Sequence, residues 1–286
     1  LILSVVLSTI IYVLLQLAFL GSIPTEMLNG GWAEVSKQFS LPYRDIAITL
    51  GMGWLAFMVI SDAIISPSGT GNIYMNATPR VIYGWAKAGT FFKAFTHIDK
   101  ASGIPRPALW LTFGLSIFWT LPFPSWEQLI SVVSAALVLS YAIAPVTAAG
   151  LRRNAPDLPR PFRVRAFGII GPISFMISAL IVYWSGWNTL SWLLGLQIVM
   201  FVVYVMCKGK VPEHTVSLAQ QVKSSLWLIV FYALIILFYW LGSFGGLNVI
   251  GHPWDTVLVA AMSLGIYYWG ARSCLPQANF TGDDEE

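Results

Sequence analysis

Long apolar runs dominate this chain, and short polar stretches separate them. Runs long enough to cross roughly 30 Å of hydrocarbon fall at about 1–22, 45–66, 105–122, 128–148, 167–185, 188–206, 224–242 and 254–271. Each predicts a helix, because an open strand leaves its backbone polar groups unsatisfied in lipid. The pattern therefore predicts an all-α, polytopic integral membrane bundle of about eight transmembrane helices.

Charge in the connecting stretches supports that count. Arg80, Lys87, Lys93, Lys100, Arg106, the five arginines from Arg152 to Arg165, Lys208, Lys210, Lys223 and Arg272 all fall on one side of the alternation. Only Lys37 and Arg44 fall on the other. The positive-inside rule places the basic side in the cytoplasm, with both termini, and the plasma membrane is the expected location. Trp119, Trp126, Trp184, Trp187, Trp240 and Trp254 sit near predicted outer ends, and Trp85, Trp110, Trp227 and Trp269 near inner ones, as aromatic belts do. Trp54 is the exception, inside a span.

Composition agrees: 57% of residues are hydrophobic and 10% charged, and mean hydropathy is +0.71. The net charge of +3 is spread over several segments, which argues against a nucleic-acid surface. Cys207 and Cys274 both fall at inner ends, facing a reducing compartment, so no disulfide is expected. The first residue is Leu, and the first span lacks the basic region and cleavage site of a secretory signal. It reads as a span cut near its cytoplasmic end, so the chain is expected to be the C-terminal portion of a longer protein.

Asp62 stands alone as a charge within the apolar core of a predicted span, and Ser66, Pro67, Ser68, Gly69, Thr70, Gly71 and Asn72 follow it. A charge at mid-bilayer costs roughly 2.5–3.5 kcal/mol on the insertion scale, so such residues face a bundle interior or a wet cavity. Pro67 is expected to kink the helix and free carbonyls near Ala63 and Ile64. Asp62 and Ser66 lie four apart, on one helical face, and Ser68, Thr70 and Asn72 add oxygens of the kind that bind cations or ammonium groups. Three roles stay open for Asp62: a structural lock held by neighbouring hydroxyls, ion or proton coupling, and direct substrate contact. In the fourth span Ser131, Ser134 and Tyr141 lie close to one face, with Pro145 further along. Close helix packing and cavity lining are both open there.

Between spans, a short helix over Trp32–Phe39 is expected in the first outer loop. In the inner stretch 73–104, Thr90 is a candidate cap for a turn that puts Phe91, Phe92, Phe95 and Ile98 on one face. Pro156, Pro159 and Pro161 exclude a continuous helix through 150–166 and favour an extended path. The acidic tail Asp283–Glu286 reads as a frayed end. Enzymatic readings find little support: His97, His214 and His252 lie on different loops, no metal-ligand spacing occurs, and no phosphate loop is present.

Ser66–Asn72, Arg80-Val81-Ile82-Tyr83, Ala88-Gly89 and Ser102-Gly103-Ile104-Pro105 together resemble the span-and-loop signature of the amino acid–polyamine–organocation (APC) permeases. Leu151-Arg152-Arg153, Pro156-Asp157 and Pro159-Arg160-Pro161-Phe162 resemble that family's later cytoplasmic signature. The resemblance covers roughly 1–206. It implies helices seven to fourteen of a fourteen-helix member with a LeuT-like inverted-repeat fold: four helices of the second repeat in 1–149, the Pro/Arg loop and two helices in 150–206, and a last helix pair with the tail in 207–286. It implies that Trp32–Phe39, in the outer loop 23–44, caps an outer vestibule and that the stretch from Asp62 to Tyr74 lines the central cavity, with Ser134 and Tyr141 on a second lining helix. The implied activity is secondary active transport of an amino acid or related amine, as a proton-coupled symporter working by alternating access. Exchange by the same fold, or a non-transporting membrane scaffold or sensor, are the alternatives. No cofactor is expected beyond a proton or sodium as coupling ion; the expected partners are the substrate, the lipid bilayer and upstream helices of the same protein.

Overall fold

The computed structural model describes residues 2–31, 35, 39, 41–89, 91–121, 126–157, 159–206, 218–244 and 246–275, and among these it forms nine α-helices and two 3-10 turns. No strand occurs among the described residues. Ile2–Ser22, Gln128–Asn154, Phe167–Trp184 and Ala219–Leu241 are each long and apolar enough to cross a membrane. The protein is a membrane-embedded helical bundle. It divides into two compact units, Leu1–Arg80 and Val81–Glu286.

The first unit holds α1 (Ile2–Ser22), a 3-10 turn (Thr25–Gly30), α2 (Pro42–Thr49) and most of α3 (Gly53–Lys87). Its small core gathers Ile23, Val35 and Ile46, with the Phe19 ring edge-on to Phe39 and Tyr43. Pro42 supplies the preset φ of a first helical turn, and the Leu41 N–H donates to Asp45 Oδ2 at 3.1 Å. Of the expected helix over Trp32–Phe39, only Val35 and Phe39 are among the described residues.

The expected span 45–66 is two helices, a correction with a clear cause. Gly51 takes φ 73°, the Met52 N–H donates to Ala47 O at 2.8 Å, and the Gly51 N–H donates to Ile48 O at 2.9 Å. Those paired bonds around a left-handed glycine form a Schellman motif, which ends α2 and reverses into α3. Pro67 does not end the helix: α3 runs for 35 residues with Pro67 and Pro79 inside it. A proline deletes one bond of the ladder, and the bonds on either side hold the rod. The Ser68 hydroxyl also donates to Ile64 O at 2.7 Å, so one carbonyl expected to open is occupied.

In the second unit, α3 ends against a 3-10 turn (Lys93–Thr96) that gathers the rings of Phe91, Phe92 and Phe95, while Thr90 lies outside the described residues. Before α4 (Arg106–Thr120), Asp99 Oδ2 accepts from Ser102 Oγ at 2.6 Å and pairs with Arg106 at 3.0 Å. The Ser102 hydroxyl first, then its amide and the Arg106 and His97 charges, hold the Asp99 carboxyl below the usual range.

Five helices follow: α5 (Trp126–Asn154), α6 (Phe167–Trp184), α7 (Trp187–Met206), α8 (Leu218–Leu241) and α9 (Trp254–Ser273). They alternate in direction, so Arg152 and Cys274 lie at one end and Trp187 and Asp255 at the other; we call these the arginine and tryptophan ends. Arg160 closes α5 by donating to the carbonyls of Leu151, Ala155 and Pro156, while the Arg152 guanidinium lies 4.1 Å over the Phe167 ring. Among the described residues, the segment after Asn154 is non-helical up to Phe167, in keeping with its prolines.

Lipid is as apolar as leucine, so close packing must hold such helices together. Phe175, Trp227, Phe231 and Tyr267 interlock at the centre, with Phe175 ring centroids 5.2 Å from Phe231 and 6.1 Å from Tyr267. Glycine permits the closest approach. A Cβ at Gly270 would sit 2.8 Å from both Trp227 Cδ2 and Val146 Cγ1, whereas one at Gly265 would meet nothing within 4 Å.

A polar knot joins the tryptophan end. Asp255 is fully buried; its Oδ2 accepts from Tyr183 Oη at 3.0 Å and from the Ser243 amide and hydroxyl at 3.2 and 2.6 Å. Its Oδ1 accepts from the Thr256 N–H at 2.6 Å and lies 3.7 Å from His252 Nδ1. Gly242 leaves space for the Tyr183 hydroxyl that a Cβ would fill.

Gly270→Ala should destabilise the protein by roughly 1–3 kcal/mol through overpacking, and Gly265→Ala should be neutral or stabilising. Thermal unfolding of the two purified variants checks this; equal shifts would contradict the packing account. Asp255→Ala, which strands several buried donors, should cost about 2–4 kcal/mol. A melting temperature within error of wild type would show that the knot holds nothing.

Candidate functional site

The unbroken α3 sets the geometry of the residues singled out around Asp62. At about 100° per residue, Asp62, Ser66, Thr70 and Tyr74 follow one another at i+4 steps and form a single winding row. Ser68 and Asn72 fall on the opposite side of the same helix. All six are exposed within this chain. Asn72 receives the Asn76 side-chain amide at its carbonyl, 2.9 Å, and the Ser68 hydroxyl is spent on Ile64. Asp62 meets no hydrogen-bond or ionic partner among the described residues. The row therefore presents one unpaired carboxylate with two hydroxyls and a phenol along a helix otherwise rich in Ile, Gly and Ala. Such a set accepts a proton, a cation or the ammonium group of a solute.

On α5 the buried face is Val132, Ala135, Leu139, Ala142 and Val146, which pack into the core of the second unit. Ser131, Ser134 and Tyr141 lie away from it and are exposed. Ser131 lines a cavity of about 700 Å³ at the tryptophan end, whose walls include Gln128, Ser185, Asn188, Thr189 and Tyr239. Ser134 and Tyr141 are not among its lining residues. The α3 row belongs to the first unit and the α5 face to the second. Among the described residues, no group of three His, Cys, Asp or Glu side chains comes together as a metal site.

Two features escaped the reading of the sequence. Asp255 begins α9, where no sequence pattern singles it out, and it is the most completely buried acid among the described residues. Its donors come from Tyr183 and Ser243, 72 and 12 residues away, a distance that no local pattern reveals. The cavity was marked only by Ser185-Gly186-Trp187-Asn188-Thr189, a polar break between two apolar runs.

Comparison with known proteins bears on what this geometry serves. The family described as Amino acid permease matches residues 1–238. The chain is 56% identical to an aspartate-proton symporter of Bacillus subtilis (strain 168) over 97% of this chain and 54% of that protein. It is 34% identical to the glutamate/serine transporter AimA of the same organism over 94% of this chain and 50% of that one. It is 21% identical to the branched-chain amino acid permease BcaP, also of B. subtilis, over 72% of this chain and 43% of that one. The chain spans about half the length of the curated relatives it matches. No solved structure matches it. With the family matched over most of its length, and the helical membrane bundle that family needs, the chain belongs to the amino acid permeases.

Proposed function

We propose that this chain works within a secondary active amino acid transporter, a symporter that couples its solute to protons through alternating access. The likeness to an aspartate-proton symporter along nearly the whole chain carries the reading. Acidic amino acids are the first substrates to test, since the names of two relatives include aspartate and glutamate. The relatives are transporters, and an enzymatic role has nothing to rest on.

Asp62 is the coupling group in this reading, with Ser66 beside it and Ser68, Thr70, Asn72, Tyr74, Ser134 and Tyr141 as cavity-lining candidates. An ionised carboxylate at membrane depth is costly, and taking up a proton removes that cost. A carboxyl that is charged in one access state and neutral in the other links the conformational change to proton movement. A scaffold of the same fold has no use for an unpaired acid on an exposed helix row. A proton, with no resident cofactor, is the coupling ion; sodium is the rival. The basic loops face the cytoplasm in the plasma membrane, and both ends of this chain lie on that side.

The test is uptake of L-aspartate by the full-length protein in proteoliposomes. An inward proton gradient should drive accumulation, and a sodium gradient at equal pH should not. No flux under either gradient contradicts transport and favours the scaffold. Asp62→Asn should lower proton-driven uptake roughly tenfold or more and flatten its pH dependence. An unchanged pH profile in that variant would remove Asp62 from the coupling.

A further inference from the structure

The cavity at the tryptophan end carries a feature that the transport reading does not use. It lies where the start of α5, the turn between α6 and α7, and the end of α8 meet, all within the second unit. The α7 helix begins there at Trp187, and its first intrahelical bond runs from the Leu190 N–H to Gly186 O. The three earlier N–H groups therefore need other acceptors. Trp187 finds one, donating to Tyr239 Oη at 2.9 Å while its ring stacks on Tyr239 at 5.6 Å. The Asn188 and Thr189 N–H groups meet no acceptor among the described residues.

Two side chains point to a ligand independently of that helix end. Thr189 is only 6% exposed and lines the cavity, and its hydroxyl meets no hydrogen-bond partner among the described residues. Tyr239 is 5% exposed; its hydroxyl accepts from Trp187 and has its own proton unspent. The Thr189 and Tyr239 hydroxyls and the two amides thus supply four donors to the wall of one cavity, where an entering acceptor can meet them. All four groups donate, and an anionic group is the acceptor that satisfies them together.

The rest of the lining narrows the class. Among the described residues no lysine or arginine lines the cavity, so a doubly charged phosphate meets none of the cations that usually hold it there. A volume of about 700 Å³ exceeds the needs of a single inorganic ion. Trp187, Trp192 and Val132 supply apolar wall for a carbon skeleton. We propose that this cavity is a binding site for a small carboxylate solute, held by the Asn188 and Thr189 amides with the Thr189 and Tyr239 hydroxyls, separate from the row on α3.

Fluorine NMR of the full-length protein in nanodiscs, labelled with 5-fluorotryptophan, reads this site directly. Trp187→Phe and Trp192→Phe assign the two wall resonances. Sodium acetate and L-aspartate should each shift both resonances saturably. Thr189→Val, which keeps the shape and loses the hydroxyl, should weaken apparent affinity roughly tenfold or more, and Thr189→Ser should restore it. The absence of a saturable shift in the wild-type protein would overturn the site, and that result does not depend on any variant folding. Shifts produced by chloride or phosphate but not by acetate would overturn the carboxylate assignment. Wild-type affinity in Thr189→Val would overturn the cradle.

Discussion

Lipid offers no hydrogen bonds, so every polar group at membrane depth must be satisfied by the protein or by something that enters it. Two carboxylates of this chain stand in opposite relation to partners. Asp255 is saturated: a tyrosine, a serine and a backbone amide from three parts of the chain converge on it, and the result is a dry fastening between α6, α8 and α9. Asp62 lies exposed on α3 with no partner among the described residues. The first acid holds the bundle together, and the second is available for chemistry.

Packing explains why the fastening matters. Burial from water does not drive helices together in a bilayer, so association depends on close fit and on scarce polar contacts. Gly150, Gly171 and Gly270 each lie where a Cβ would strike a neighbouring helix or the chain just beyond it, and Ala135, Ala142 and Ala179 are fully enclosed. At the arginine end, the Asn154 amide donates to Leu275 O at 2.7 Å and joins α5 to the end of α9. Polar contacts thus close both ends of a bundle whose middle is aromatic and small-residue packing. The cavity beside Tyr239 sits next to the knot at Asp255, so its walls are held by the same contacts that fasten the fold.

Much of the architecture was legible in the order of apolar runs, because length and hydropathy report directly on crossing a bilayer. The expected boundaries of the last five spans agree with α5 to α9 to within a few residues at most ends, and no continuous helix runs through the proline-arginine stretch 150–166, although its first five residues extend α5. The second span misled for a physical reason. Pro67 looked like the breaker, but one missing donor does not break a 35-residue helix, while Gly51 could take the left-handed φ that a Schellman turn requires. The oxygens around Asp62 were likewise visible as residue types, yet their sorting into one row and an opposite pair appears only once α3 is continuous. Asp255 and the cradle at Thr189 were hidden because their partners lie far away in sequence.

The central claim is that water or solute reaches Asp62 at the membrane depth the proposed function gives it. Cysteine substitution in the full-length protein tests it, with a small water-soluble thiosulfonate reagent applied to Asp62→Cys and to Ser263→Cys, whose site is fully enclosed. The account predicts fast modification at position 62, slowed by L-aspartate, and none at position 263. If the thiol at 62 proves as inert as the one at 263, the carboxylate faces lipid or a dry interior, and its role in coupling falls.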